Sequence, residues 1–340
     1  MANMKISRIR AFALVACMTG SLNAQSVSGP VMGFVLEKSV GVRALRGMPG
    51  AATLGPSLAR DAGYSAVAFA QQREYALGIT RDGGQVVLLQ NLARQPRTGL
   101  LGLPPGAERV AISPAGDAAA FYYPDSRTVQ VVTGLPGSPA ASWNLESPDL
   151  PGGAGALAVS DGGGAVLFAG GAQVYFLAPG LGARYLLGVG GSPSVAFLSG
   201  SLDAVVADGE LSRVMLVRDP EGDAQVSLIG DAAQGVSRPV AVAAAPDNRR
   251  VFAANAAPGG AVSLSLAGED SASLSCACAP TSLERLSGSL AFRLTEAGGG
   301  PVWILDGASS PPRIVFVPYE APAPTRQPVR DSRALRTSER

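Results

Sequence analysis

The chain has no histidine and only two lysines, Lys5 and Lys38, in 340 residues. The first absence removes imidazole acid–base chemistry and imidazole metal ligands together. The second leaves Lys38 as the sole lysine of the body, so a Ser–Lys nucleophile pair has almost no material and serine triads lack their base. Charged residues make up 16% and aromatics 6%, and no apolar run approaches the roughly 18 residues that span a bilayer. Glycine-rich stretches at 152–155, 162–164 and 298–300 lack the Lys-Ser or Lys-Thr that a phosphate loop needs, and none opens a helix. What abounds is Gly (43) and Pro (26) within a 47% apolar chain, a turn-rich composition too apolar for wholesale disorder.

The first 24 residues read as an export signal. Lys5, Arg8 and Arg10 precede a short apolar core that begins at 11–16 (AFALVA). Two processing sites compete: cleavage after Ala24, which is favoured, and a lipobox-like Leu14-Val15-Ala16-Cys17 that would place a lipid on Cys17. Export to a periplasmic or extracellular location is expected, with membrane contact only through that lipid. The body, 25–320, carries 19 basic and 24 acidic residues, a net charge of −5, which offers nucleic acid no footprint. The tail, 321–340, alternates Pro, Arg, Ser and Thr and reads as a disordered terminus.

A phrase recurs along the body: apolar strand, turn, apolar strand, turn, third strand. Its copies start at Val67, Val110, Leu157, Val195, Val242 and Leu283, 38 to 47 residues apart, and most copies allow a fourth strand. Four short strands per 40-odd residues is the arithmetic of a propeller blade. The expected fold is therefore all-β, a single β-propeller of four-stranded blades. Before the first copy, 31–37 and 41–46 resemble third and fourth strands of a partial blade, with 51–58 as a connection. Counting that partial blade gives seven blades, the favoured number; without it there are six.

The segments Val110-Ala111-Ile112-Ser113-Pro114-Ala115-Gly116-Asp117 and 242–252 (VAAAPDNRRVF) resemble the strand–S-P-D-G–strand phrase of bacterial secreted propellers of the YVTN, TolB-like and WD40-like groups. The resemblance covers about 290 residues and implies a fold rather than an activity. The Gly-His and Trp-Asp marks of eukaryotic WD40 repeats are missing, and without histidine no catalytic residue carries over from lactonase-like propellers.

Turn aspartates Asp82, Asp117, Asp161, Asp208 and Asp247 are the candidate binding-face residues: turns at one blade position share a face, so they would ring an opening, unless they are ordinary turn formers. Asp219, Glu221 and Asp223 have a spacing that a calcium loop uses, but Pro220 restricts the backbone and a polar hairpin is the simpler reading. Cys276 and Cys278 read as two small buried residues in preference to a redox or metal pair. No cofactor or metal is expected. The favoured function is a non-enzymatic binding or scaffolding module of the cell envelope, monomeric, whose partner is a protein or an envelope polymer. The alternative is a carbohydrate hydrolase or lyase with Asp and Glu at the channel mouth, which needs two carboxylates within about 10 Å of each other.

Overall fold

A computed structural model of the chain describes residues 29–59, 63–70, 73–268, 270–286, 290–298 and 300–319. The expected leader with Cys17 and the tail 321–340 lie outside them. The apolar runs form strands because they are rich in branched and aromatic side chains and are punctuated by Gly, Asp and Pro turns. Each strand pairs antiparallel with the next in sequence, giving seven sheets at 31–59, 64–100, 109–146, 156–188, 193–230, 239–275 and 284–317. Six have four strands and the first has three.

Buried side chains gather in seven clusters, one between each pair of neighbouring sheets. In the one that closes the circle, Met32, Val35 and Leu45 of the first sheet pack on Ala291, Val302 and Ile304 of the last. The sheets are thus the blades of a closed seven-bladed β-propeller. Second strands are covered on both faces by neighbouring blades, which is why Ala118–Tyr123 and Ala204–Asp208 are buried along their whole length and read as unbroken apolar runs.

One backbone bond fixes the register of every complete blade. The residue closing the inner strand donates its N–H across the first turn: Ala70 to Tyr75, Ser113 to Ala118, Ser160 to Ala165, Leu198 to Asp203, Ala245 to Arg250, Leu286 to Ala291. The six repeat starts seen in the sequence, from Val67 to Leu283, all sit three residues before that bond. The fourth strands that most copies allow are present, as at Ser271–Ser275 and Arg313–Val317. The outer strand of blade 2, Arg97–Leu100, was not foreseen.

The first blade corrects the sequence reading. Val31–Glu37 and Gly41–Arg46 occupy the second and third positions rather than the third and fourth, and Thr53–Ala59, expected as a connection, is the outer strand. Val31–Glu37 has the near-complete burial of a second strand, and its last residue, Glu37, bridges Ala297 in the connection between second and third strands of blade 7. Among the described residues no strand fills the innermost place of this blade. Its outer edge carries Pro56 and a bulge in the pairing between Arg43 and Leu45, devices that blunt an edge against further pairing.

The cysteine reading is also corrected. Cys276 and Cys278 follow the outer strand Ser271–Ser275, are half-buried rather than buried, and form a disulfide. The loop they close rests on the second turn of blade 6, where Cys276 N–H donates to Gly259 O at 3.1 Å.

Candidate functional site

The inner strands of blades 2 to 7 surround an axial cavity of about 290 Å³. Five of them present the same kind of wall. Two residues before the register bond stand Ala68, Ala111, Ala158, Ala196 and Ala243; one residue before it stand Phe69, Ile112, Val159, Phe197 and Ala244. Small residues suit the first of these places because the sheets converge on the axis. At blade 1, where no inner strand stands among the described residues, Gly33 and Phe34 reach the cavity. Gly33 is required there, since a Cβ would lie 2.7 Å from the Leu286 side chain of blade 7.

Blade 7 breaks the pattern at both places with Glu284 and Arg285. Glu284 is neutralised at once, because Arg293 meets its Oε2 at 2.6 Å and also donates to Thr295 O at 2.9 Å. Arg285 is paired in register with Phe292, whose ring stacks with Phe252 of blade 6. Its Nε is shielded from solvent without a hydrogen-bond partner, and burial pulls the guanidinium below its ordinary pKa. Among the described residues, the buried side-chain atoms lacking a partner are Ser282 Oγ, Arg285 Nε and Arg293 Nε, all beside this stretch of the wall.

The aspartates fall on two faces. Asp117, Asp161 and Asp247 lie in first turns, whereas Asp82 and Asp208 lie in second turns at the opposite end of the blades. The structure brings Asp117 and Asp161 together as ties between blades. Asp117 Oδ1 accepts from Ser113 Oγ at 2.8 Å and from Gly162 N–H at 3.2 Å. Asp161 accepts from Ala115 N–H of blade 3 at 2.6 Å and from Gly200 N–H of blade 5 at 2.8 Å. Neighbouring ties extend this girdle: the Tyr75 hydroxyl donates to Gly116 O at 3.0 Å, and Asn248 exchanges two bonds with Ser199. Asp247 caps its own turn through Arg249 N–H. Asp208 is fully buried, holding Gly190 N–H at 2.8 Å, Leu211 N–H at 3.1 Å and the Arg213 guanidinium at 3.2 Å. Asp82 is exposed and makes no side-chain bond among the described residues. Asp219 takes the N–H groups of Gly222 and Asp223, the pattern of a polar hairpin.

Sequence reasoning missed Glu284 and Arg285. The signal was available: aligning the six copies on Val67, Val110, Leu157, Val195, Val242 and Leu283 sets two charges where the other copies carry Ala and an apolar residue.

No protein-family model matches this chain, and no curated protein does. Among solved structures it is similar to a functionally unknown protein from Desulfotomaculum acetoxidans DSM 771, with a TM-score of 0.59 at 13% identity over 85% of this chain and 95% of that one. A nidogen/laminin complex matches with a TM-score of 0.49 at 12% identity, over 71% of this chain and 92% of that one. The likeness to the Desulfotomaculum protein, at 13% identity, is one of fold and carries no function.

Proposed function

We propose that the chain is an exported, non-enzymatic binding propeller of the YVTN/TolB-like kind, acting in the cell envelope and holding its ligand at the axial cavity. The observation that carries this reading is the cavity wall. It is built of Ala, Val, Leu, Ile and Phe from successive blades, with one neutralised carboxylate and one unpaired guanidinium. The lining side chains are mostly aliphatic or aromatic, while the inner-strand backbone edges and two charged residues make much of the exposed surface polar, and a concave recess with a few placed charges is a usual make-up of a binding site. The Cys276–Cys278 disulfide supports an oxidising compartment, in keeping with the basic and apolar leader.

The carbohydrate-cleaving alternative has one observation in its favour, the closeness of Asp117 and Asp161. Both Asp161 oxygens and Asp117 Oδ1 accept backbone N–H groups from three blades, which favours a tying role for the pair. Two measurements test the reading. N-terminal mass analysis of the secreted protein is expected to find Gln25 first, or a lipidated Cys17; an intact Met1 in the cytoplasm overturns export. Cross-linking in the envelope is expected to capture a defined partner, and loss of every partner counts against a binding role.

A further inference from the structure

Among the described residues Arg285 has no ion-pair partner, and it stands at a wall whose other side chains are mostly aliphatic or aromatic. Five other blades manage the same inner-strand place with Phe69, Ile112, Val159, Phe197 or Ala244, so the fold does not require a charge there. The one carboxylate nearby, Glu284, is held by Arg293 at 2.6 Å and shares its sheet face with that residue, the opposite face from Arg285 and Phe292. Arg285 is half-buried, with its Nε shielded and unpartnered, and a bound anion would supply the missing partner. Its planar fork matches a carboxylate through two parallel bonds. The aliphatic and aromatic side chains beside it give an apolar body something to rest on.

We propose that the axial cavity binds an organic monocarboxylate with an apolar body, its carboxylate held by Arg285 and its body against the Ala, Val and Phe wall. This deepens the binding reading above and rests on it. At about 290 Å³ the cavity sits at the lower end of the range for small-molecule sites, which suits a short aliphatic or single-ring acid.

The test is calorimetric titration of the full-length protein with octanoate, octanol and inorganic phosphate, using wild type, Arg285→Met and Arg285→Lys. Octanoate is expected to bind wild type at least about tenfold more tightly than octanol, a factor set by one charge-assisted hydrogen-bonded pair, and phosphate more weakly still. Arg285→Met is expected to lose that preference while its thermal midpoint stays level, because a half-buried charge without a partner contributes little to stability. Arg285→Lys is expected to recover part of the preference. Equal binding of octanoate and octanol to wild type would leave a binding cavity and overturn the anion assignment alone. Undiminished octanoate binding by Arg285→Met overturns it as well, as does a lowered midpoint in that variant without loss of preference. Absence of binding by either probe overturns the proposed ligand class, whereas the wider binding reading is decided by the envelope cross-linking.

Discussion

At the scale of single residues, the aspartates show how one residue type serves different ends. Asp161 sits between three blades, so replacing it strands the N–H groups of Ala115 and Gly200. Asp161→Ala is expected to lower stability by about 1–3 kcal/mol, the cost of leaving such donors unpaired, whereas Asp82→Ala, exposed and unbonded, is expected to be neutral within about 0.5 kcal/mol. Urea unfolding of the two variants checks the contrast; equal effects contradict the tying role. That these positions carry aspartate was legible in the sequence, but their partners were not, because a bond across 46 residues of sequence depends on how blades sit side by side.

The tyrosines give a second test at this scale. Burial raises the phenol pKa of Tyr64, Tyr75 and Tyr122, and pushes Tyr123 up to about 12. Unfolded tyrosines ionise near pH 10, so above that pH the unfolded chain has released protons that the folded chain still holds. Stability from these groups is full below about pH 10 and is lost as pH rises through the folded values. The thermal midpoint is expected to decline steeply between about pH 10 and 12. A flat profile across that window contradicts the burial of the four phenols.

At the scale of strands and blades, most of the architecture was written in the sequence because each complete blade repeats one local order. Ala118–Tyr123 and Val166–Gly170 are unbroken apolar runs bounded by Ser113 to Asp117 and by Ser160 to Gly164, so period and turn chemistry agree. Blade 1 was harder for two physical reasons. Its outer strand TLGPSLA holds Gly55 and Pro56, which read as a loop, and without an inner strand the recurring phrase has no first member to align. Blade 2's outer strand, RTGL, is exposed throughout, so no apolar pattern marks it. The disulfide was not legible because one intervening residue keeps two sulfurs apart in extended chain, whereas the chain bends just after Ser275 and lets them meet. Closing so short a loop contributes on the order of 1–2 kcal/mol by restricting the unfolded chain. Replacing both cysteines by serine is expected to cost that much in chemical unfolding; an unchanged midpoint contradicts it.

At the scale of the whole molecule, the ring closes where the first and last blades meet by side chains and the single backbone bridge between Glu37 and Ala297, with no strand exchanged among the described residues. Glu37 and Arg43 form a buried ion pair at 2.8 Å, each side chain 2% exposed. Arg43 also donates to Gly55 O at 2.7 Å and Leu54 O at 3.3 Å, while the Tyr319 hydroxyl donates to the other Glu37 oxygen at 2.8 Å. The last described residue of the chain thereby fastens blade 7 to blade 1. Arg43→Met leaves Glu37 buried without its counter-ion and is expected to cost about 3–5 kcal/mol, with Glu37→Gln/Arg43→Met costing less than the single change. Equilibrium unfolding of both variants tests the latch, and a double variant worse than the single one contradicts it.

As proposed above, this closed ring works by holding a ligand in its axial cavity. The most direct measurement compares thermal shifts of wild type and an Ala158→Leu/Ala243→Leu variant, whose added side-chain volume narrows the cavity, against apolar acids, sugars, divalent cations and envelope polymers. The account predicts that an apolar acid at about 100 times its dissociation constant stabilises wild type by roughly 2.7 kcal/mol, a rise of several degrees, and that the narrowed variant loses this rise. A shift that survives narrowing, or sugar cleavage that disappears in Asp117→Asn/Asp161→Asn, would contradict it.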